Sequence, residues 1–334
     1  MTGLGVLIRD TGLLPDAVRL VRVAEDLGVD EVWQTEVGPQ RDALIAVTAY
    51  LAATQRLLVG VGITNVWTRL PSVLAGAAAT MAELAPGRVA LGIGPWWEPA
   101  AARHGARRHR PVAAMADAAC IIRALLAGET VEHRGEVFTA HDLQRAAVDV
   151  PLVFGVTGPR LTRLAGELAD GLLLNYGTPV TALAQRLALV HEGALTAGRN
   201  PRSISVRALV WCASGDRMPV RRLLLDRPDL LHAGGMAEAD AHALSQRAAI
   251  ATGEQRDRLA AEVPDAAVDL VAATGSGAEI RAGIERFRAA GADTVVLAPL
   301  TDPIVCLQAA TGDSTTRPTP PTGRRPATRV EPGR

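Results

Sequence analysis

Short apolar segments alternate with longer amphipathic segments along most of this chain. Runs of Val, Ile and Leu without polar alternation are typical of strands in a parallel sheet that is covered on both faces. In the first long segment, Pro15 and Asp16 are residues that begin a helix, and Gly28 is a residue that ends one. The pattern therefore predicts a repeated strand–helix unit.

The short apolar runs number eight, and a helical segment follows each of the first seven. Eight strands that alternate with helices predict an α/β fold of the TIM (β/α)8 barrel type, with parallel strands inside and helices outside. The predicted strands are Gly5–Arg9, Glu31–Gln34, Leu57–Ile63, Arg88–Ile93, Leu152–Phe154, Gly171–Leu174, Ile204–Cys212 and Thr294–Leu297.

Two segments depart from this unit. Residues 128–142 contain VEHRGEVFTA, two short strand-like runs about Arg134 and Gly135, and predict a hairpin inserted before strand five. Residues 219–263 are polar and rich in Ala, Arg and Asp, and predict a helical insertion after strand seven that forms a lid over the C-terminal barrel face. We expect residues 1–311 to form one barrel domain.

The final segment, residues 312–334, contains almost no large apolar side chain and is rich in Pro, Thr and Arg. Such a segment buries too little apolar surface to offset the entropy of ordering its backbone. It is therefore predicted to be a disordered tail.

Composition excludes several classes of function. The chain has 35 basic and 35 acidic side chains and no net charge, which argues against an extended nucleic-acid surface. Every basic residue is arginine, which excludes chemistry that needs a Schiff-base or Walker-A lysine. The cysteines and histidines lack metal-ligand spacing, so no metal is expected. No apolar run approaches the roughly 18 residues of a membrane span, and we expect a cytoplasmic protein with a small-molecule substrate.

Candidate chemistry lies in the loops that follow the strands, because these loops carry function in TIM barrels. Glu36 follows strand two, and an acid at the end of a buried strand needs a salt-bridge partner or a ligand. Gly60 and Gly62 in strand three indicate a bulge or a close backbone approach, with Thr64 and Asn65 just beyond it. Both alternatives for Glu36 remain open at this stage.

A second candidate site follows strand five, where four residues precede a helix. Unpaired N–H groups at a helix N-terminus bind phosphate, although an ordinary strand–helix turn has the same composition. In a chain without lysine, a guanidinium such as that of Arg160 would assist in holding a phosphate there. The four residues are Gly155, Val156, Thr157 and Gly158.

Four segments resemble the luciferase-like family of flavin and deazaflavin oxidoreductases. The resemblance spans roughly residues 3 to 300 and is strongest for the branch that uses coenzyme F420, typified by methylenetetrahydromethanopterin reductase. It implies an enzyme that transfers hydride between the deazaflavin and a small organic substrate. A monooxygenase that uses FMN and oxygen is the first alternative, and a cofactor-binding barrel without turnover is the second. The segments are GVGITNVWTRLP, AELAPGRVALGIGP, ALLAGETVEHRGEVF and FGVTGPRLTRLAGELADG.

The resemblance also implies roles for individual residues. Gly62 and Ile63 fall where the family has a non-proline cis peptide against the cofactor ring. Thr64 and Asn65 fall at cofactor-contacting positions, and Glu36 falls at the acid beside the cofactor. Residues 155–158 fall at the loop that receives the phosphate-bearing tail, and dimerisation is common in the family.

Substrate contacts are harder to transfer, because this sequence departs from its relatives. Val37 and Trp97 stand where relatives that oxidise sugar phosphates have histidine and glutamate, which disfavours that substrate. We expect Trp67, Trp96 and Trp97 to form apolar walls of the substrate pocket, with core packing as the alternative. Glu98 is the candidate proton donor, with an exposed helix-start carboxylate as the alternative.

Overall fold

The computed structural model of the protein describes residues 3–9, 12–38 and 40–313. The described residues form twelve β-strands, which are listed here in chain order. They are β1 (Gly3–Ile8), β2 (Glu31–Gln34), β3 (Leu58–Val61), β4 (Thr64–Asn65), β5 (Val89–Gly94), β6 (Val131–Arg134), β7 (Thr139–Leu143), β8 (Leu152–Val156), β9 (Gly171–Leu174), β10 (Ser205–Ser214), β11 (Ala272–Gly275) and β12 (Thr294–Pro299).

The same residues form fourteen α-helices and two short 3₁₀ turns, at Val180–Ala182 and Pro201–Ser203. The α-helices are α1 (Leu14–Asp26), α2 (Ala43–Ala53), α3 (Pro71–Leu84), α4 (Glu98–Arg103), α5 (Pro111–Leu126), α6 (Pro159–Leu168), α7 (Leu183–Thr196), α8 (Met218–Leu224), α9 (Pro228–Ala233), α10 (Glu238–Ile250), α11 (Gly253–Ala261), α12 (Asp265–Val271), α13 (Gly277–Ala289) and α14 (Pro303–Thr311).

Eight parallel strands close into a barrel in the order β1, β2, β3, β5, β8, β9, β10 and β12, and β12 pairs back onto β1. The predicted TIM barrel is therefore confirmed for the described residues. A helix also follows the eighth strand, where the sequence pattern predicted none. This helix, α14, begins at its N-cap Asp302 and ends at Gly312, whose positive φ of 78° suits glycine.

Alternate strand residues face opposite sides of the barrel wall, as the pleat of a strand requires. Val6 and Val32 belong to the core between the strands and the outer helices. Their neighbours Leu7 and Trp33 belong to a second core, which fills the barrel interior and continues into the helices of the insertion. Because both strand faces are covered, these strands are continuous apolar runs in the sequence.

The N-terminal end of the barrel interior holds a buried ion pair between strands β2 and β10. Arg207 donates from Nε to Glu31 Oε2 over 2.8 Å and from Nη2 to Glu31 Oε1 over 2.9 Å. The indole N–H of Trp33 donates to the same carboxylate over 2.9 Å. The Thr294 hydroxyl donates to Glu31, and the Ser205 hydroxyl accepts from Arg207. Both charged side chains are only 10% exposed, so this end is closed by a polar cluster whose hydrogen bonds are satisfied.

Strand three departs from its predicted bounds. The sequence predicted one strand over Leu57–Ile63, whereas β3 ends at Val61 and a separate strand, β4, pairs with the end of β5. The chain breaks at Gly62 and Ile63, which are joined by a cis peptide bond. The glycines in this run therefore mark a break in the strand, as their positions indicated.

The predicted hairpin is present as the antiparallel pair β6 and β7, between α5 and β8. It is attached to α5 through the buried carboxylate of Asp117, which accepts from Val137 N–H over 2.7 Å and from Phe138 N–H over 3.0 Å. His133 Nε2 lies 3.0 Å from the same carboxylate. A Cβ at Gly135 would overlap the Asp117 carboxyl group, so glycine is required in this turn.

The insertion after strand seven is longer than predicted. It comprises α8 to α12 and runs to Val271, followed by β11, which pairs with the end of β10. Its apolar side chains pack together with Trp211 and other barrel residues. Of the predicted tail, residues 314–334 lie outside the described residues. None of the described helices is long and apolar enough to cross a membrane.

Candidate active site

A cavity of about 500 Å³ opens at the C-terminal ends of the barrel strands. Its lining comes from the ends of β2, β3, β5, β8, β9 and β10 and the loops that follow. A second cavity, of about 710 Å³ between α1 and the loop before α14, contains none of the predicted site residues. The first cavity is lined by Thr35, Glu36, Val37, Gly62, Ile63, Thr64, Asn65, Pro95, Trp96, Trp97, Ala100, Gly155, Val156, Thr157, Leu173, Asn175, Tyr176 and Leu209.

Glu36 lines this cavity and is held in a salt bridge, which was one of the two alternatives considered for it. Arg69 Nη1 lies 2.9 Å from Glu36 Oε1 and 3.1 Å from Oε2. The hydroxyl of Thr64 donates to Oε2, and the N–H of Ala43 donates to Oε1 over 3.4 Å. The carboxylate is thus oriented by groups from two connections, the one between β2 and α2 and the one between β3 and α3.

Arg69 connects Glu36 to a second carboxylate, Asp42, which also caps the N-terminus of α2. Burial lowers the pKa of Arg69, but the two carboxylates outweigh this effect and raise the pKa above its usual value. One guanidinium thus faces two carboxylates. If both are ionised, the cluster carries a net charge of about −1 beside the cavity.

Within the described residues, the Asn65 side chain forms hydrogen bonds through its amide oxygen and not through its amide nitrogen. Its Oδ1 accepts from the N–H groups of Trp67 and Thr68, each over 2.9 Å, and from the Thr68 hydroxyl over 3.2 Å. These bonds shape the turn after β4 and fix the amide plane. No hydrogen bond from Asn65 Nδ2 to another described residue is recorded, which leaves this donor for a ligand in the cavity.

Ile63 occupies space that the ends of β5 and β8 leave open, because glycines there have no side chain. A Cβ at Gly94 would overlap the Ile63 side chain, and a Cβ at Gly155 would lie 2.9 Å from it. Likewise, a Cβ at Gly60 would overlap the ring of Trp33 inside the barrel. The two G-x-G runs therefore serve close packing at the cavity floor.

The α6 N-terminus borders the cavity at the loop after β8. Gly155, Val156 and Thr157 line the cavity, whereas Gly158, the N-cap of α6, and Arg160 do not. Among the described residues, no hydrogen bond is recorded from the N–H groups of Thr157, Gly158, Arg160 and Leu161. The exposed side chain of Arg160 has no recorded ion pair within that part of the chain. This corner therefore offers unpaired donors and a positive helix end to an anion.

The three tryptophans predicted as walls are placed differently. Trp96 and Trp97 line the cavity, and the Trp96 indole N–H is buried without a hydrogen-bond partner among the described residues. Trp67 does not line the cavity; its indole N–H donates to Pro95 O over 3.2 Å, and its ring lies 6.1 Å from that of Phe138. Trp67 thus packs against the loop after β5 and the hairpin and lies outside the cavity lining, as in the core-packing alternative considered for it.

Glu98 does not reach the cavity. It is the first residue of α4, its side chain is 60% exposed, and it forms an ion pair with Arg108 over 3.0 Å. The structure therefore places it as an exposed helix-start carboxylate, the alternative considered for it. The insertion predicted as a lid also contributes no residue to the cavity lining.

Sequence reasoning missed several lining residues, notably Asn175 and Tyr176. Both follow β9 directly, so the same rule that selected Glu36 and Asn65 would have selected them. Pro95, Ala100 and Leu209 carry no chemical signal and could be found only from the fold. In the described part of the chain, no group of three or more His, Cys, Asp or Glu side chains is arranged to hold a metal ion.

The chain forms a (β/α)8 barrel with a cavity at its C-terminal mouth, where barrels of this kind carry their sites. Comparison with known proteins identifies the family. The sequence profile of the family described as luciferase-like monooxygenase matches residues 4–294. The chain belongs to this family.

The chain is also similar to individual named proteins. The chain is 32% identical over 198 residues to 5,10-methylenetetrahydromethanopterin reductase of Methanolobus tindarius. The match spans 59% of this chain and 60% of that protein.

Two solved structures share the fold. The coenzyme F420 dependent tetrahydromethanopterin reductase from Methanopyrus kandleri superposes with a TM-score of 0.78 at 22% identity, covering 93% of this chain and 98% of that one. An F420-dependent secondary alcohol dehydrogenase in complex with an F420–acetone adduct superposes with a TM-score of 0.74 at 21% identity, covering 92% and 99%.

Proposed function

We propose that this chain is an F420-dependent oxidoreductase that transfers hydride between the deazaflavin and a small organic substrate. The observation that carries the proposal is one cavity that joins the Gly62–Asn65 segment to the α6 N-terminus. The named relatives, a methylenetetrahydromethanopterin reductase and F420-dependent dehydrogenases, support the same cofactor.

The residues present fit a deazaflavin with an anionic tail. The cavity volume of about 500 Å³ lies within the range of small-molecule sites. Asn65 Nδ2 is a free donor beside the cis peptide, and the Trp96 indole N–H is a buried donor without a protein partner. Orphaned donors at a cavity wall are expected where a ligand accepts their hydrogen bonds.

When bound, the deazaflavin supplies a ring carbon that accepts or donates hydride, as a nicotinamide does. Gly62, Ile63 and Trp96, which line the cavity, would hold the ring. Glu36 and Asn65 orient it through hydrogen-bonding groups that Arg69 and the 65–68 turn keep in place. The α6 N-terminus and Arg160 bind the phosphate of the tail.

A monooxygenase that uses reduced FMN and oxygen is the second candidate, and the family description itself favours it. FMN also carries a phosphate, so the α6 corner alone does not separate the two cofactors.

Titration of the purified protein with oxidised F420 and with FMN separates these proposals. We expect F420 to bind at least about tenfold more tightly, a difference of about 1.4 kcal/mol. Tight binding of FMN without F420 would favour the monooxygenase. Binding of neither would indicate a barrel without this chemistry, and Arg108→Gln, outside the cavity, is the control variant.

A further inference from the structure

Hydride transfer to a polar double bond needs a proton source, and the site residues described above do not supply one. When hydride adds to the carbon of a carbonyl group, the C–O π electrons move to the oxygen, which then takes up a proton. Glu98, the donor predicted from the sequence, lies outside the cavity and is paired with Arg108. The proton must therefore come from another group that reaches the cavity.

Among the described residues that line the cavity, only Glu36 and Tyr176 carry a carboxyl or phenol group. These groups act as general acids in enzymes, whereas amide, indole and aliphatic hydroxyl groups rarely do. Arg69 donates to both oxygens of Glu36, and Thr64 donates to one of them. Since a proton on this carboxyl group would compete with those donors, Glu36 is arranged to accept hydrogen bonds. Tyr176 is the lining residue that remains.

The hydroxyl of Tyr176 is available to a ligand. It forms no hydrogen bond with another described residue, and Tyr176 is 39% exposed at the cavity mouth. A phenol keeps its proton at neutral pH and can both donate and accept hydrogen bonds. The hydroxyl can therefore meet a ligand on one side and water on the other.

Packing holds the Tyr176 ring in place. Its centroid lies 5.8 Å from that of the buried Trp211 on β10, with the two planes tilted by 31°. Gly177 follows with a positive φ of 77°, and a Cβ there would lie 2.7 Å from Arg227 Nη1. The insertion thus covers the backbone of this loop. Such support matters because proton transfer requires hydrogen-bond distance to the accepting atom.

The strand before Tyr176 contacts the segment proposed to hold the cofactor ring. A Cβ at Gly62 would lie 3.2 Å from Leu173 Cδ2, so the end of β9 packs beside the Gly62–Ile63 peptide. Gly62, Leu173 and Tyr176 all line the same cavity. Tyr176 therefore lies in the cavity where hydride transfer is proposed.

We propose that the substrate is a carbonyl compound and that Tyr176 is the catalytic residue that protonates its oxygen. As hydride forms a bond to the carbonyl carbon, the phenol O–H bond breaks and its proton joins the oxygen, which gives an alcohol. The phenolate recovers a proton from water at the mouth. The inference rests on the proposed function for the source of the hydride.

The first test measures contact between the Tyr176 hydroxyl and a carbonyl oxygen. The probes 2-acetylnaphthalene and 2-isopropenylnaphthalene have the same shape, but the second has a methylene group in place of the oxygen. Their affinities for the protein loaded with oxidised F420 are measured by ligand-observed NMR. Tyr176→Phe should weaken ketone binding about three- to tenfold and leave alkene binding unchanged.

The control variant is Tyr50→Phe, which removes the hydroxyl of the other tyrosine in the chain. That hydroxyl donates to Gln34 inside the protein, so the variant should change neither affinity. Equal weakening of both probes by Tyr176→Phe, no effect on either, or no binding of either to the wild type would overturn the inference.

The second test measures proton transfer. Protein loaded with reduced F420 is mixed with excess 2-acetylnaphthalene, and the oxidation of F420 in a single turnover is followed by absorbance. Tyr176→Phe should slow this step about 100-fold, far more than it weakens ketone binding, and Tyr50→Phe should keep the wild-type rate. An unchanged rate in Tyr176→Phe, or no reduction of the ketone by the wild type, would refute the proton-donor role.

Titration with F420 separates this inference from the proposed function. Tyr176→Phe should bind F420 as tightly as the wild type does. If the wild type binds no F420, the proposed function fails and the proton-transfer step fails with it. If F420 binds but Tyr176→Phe changes neither ketone affinity nor rate, only the role of Tyr176 is refuted.

Discussion

The two ends of strand β2 carry the same kind of interaction and use it differently. Glu31 begins the strand and pairs with Arg207, and Glu36 follows the strand and pairs with Arg69. At the N-terminal end, Trp33, Ser205 and Thr294 complete a closed cluster.

At the C-terminal end, one arginine serves two carboxylates beside an open cavity. The first cluster pairs one carboxylate with one guanidinium inside the barrel, whereas the second places two carboxylates on one guanidinium beside the cavity. The comparison shows how one barrel separates stability from function along a single four-residue strand.

Breaking the closed cluster should have the largest effect. Arg207→Leu leaves Glu31 buried without its cation, which costs about 3–5 kcal/mol of unfolding free energy. Chemical denaturation measures the loss. Adding Glu31→Leu should restore most of it, because replacement of a whole buried pair by apolar residues is often neutral. A minor loss in the single variant would show that this end does not stabilise the barrel.

Breaking the cluster of Arg69, Glu36 and Asp42 should instead weaken ligand binding. Arg69→Gln leaves Glu36 and Asp42 facing each other without a cation, so we expect F420 affinity to fall about 10- to 100-fold, or about 1.4–2.8 kcal/mol. The unfolding free energy should fall by less than about 1.5 kcal/mol, since the cluster is partly solvated.

The control for Arg69→Gln is Arg108→Gln, which breaks an ion pair outside the cavity. Arg69→Lys should recover only part of the affinity, because an ammonium group cannot bridge both carboxylates as a guanidinium does. If Arg69→Gln lowered the unfolding free energy strongly and left F420 affinity unchanged, the ion pairs at both ends of β2 would serve stability alone. The raised pKa of Arg69 keeps its guanidinium charged, and its contribution would be lost only at strongly alkaline pH, so binding should not change through its titration between pH 6 and 9.

Asp117 is a third buried carboxylate, and it lies on α5 and not at either end of β2. Burial raises its pKa, but hydrogen bonds from Phe138, Val137 and His133 outweigh this and hold the pKa below its ordinary value. Its stabilisation is therefore present above the unfolded pKa of about 3.9 and is lost as the pH falls through the folded pKa. Asp117→Asn should cost about 1–2 kcal/mol at pH 7.

The difference between wild type and Asp117→Asn should shrink below about pH 4. Denaturation curves at several pH values measure this, and F420 affinity should stay unchanged. A difference that is constant down to pH 3 would contradict the assigned hydrogen bonds.

The smallest effect is expected at Arg160. Arg160→Gln should weaken F420 binding about three- to tenfold, or about 0.7–1.4 kcal/mol, because the side chain is exposed and its contact with phosphate is screened by salt. The loss should disappear for a deazaflavin fragment without the phosphate tail. Equal loss for the fragment would place Arg160 at the ring.

Local patterns were sufficient to locate the eight barrel strands, since most are short apolar runs between helical segments, although the bounds of strand three were missed. The rule that barrel loops after the strands carry function also selected Glu36, Asn65 and residues 155–157, all of which line one cavity. It failed for Glu98 and Trp67, because the direction of a side chain in a loop depends on its neighbours. Arg108 draws Glu98 outwards, and Pro95 accepts the Trp67 N–H.

The sequence alone determined the strand–helix repeat, the hairpin and the all-arginine chemistry, because these depend on local periodicity and composition. Only the tertiary structure decided which charges meet: Glu31 and Arg207 are 176 positions apart, and Glu36 and Arg69 are 33 apart. It also decided where strand three breaks, because the space for Ile63 is left by glycines of β5 and β8. Closure of the barrel brings these residues together, and no local pattern in the sequence records it.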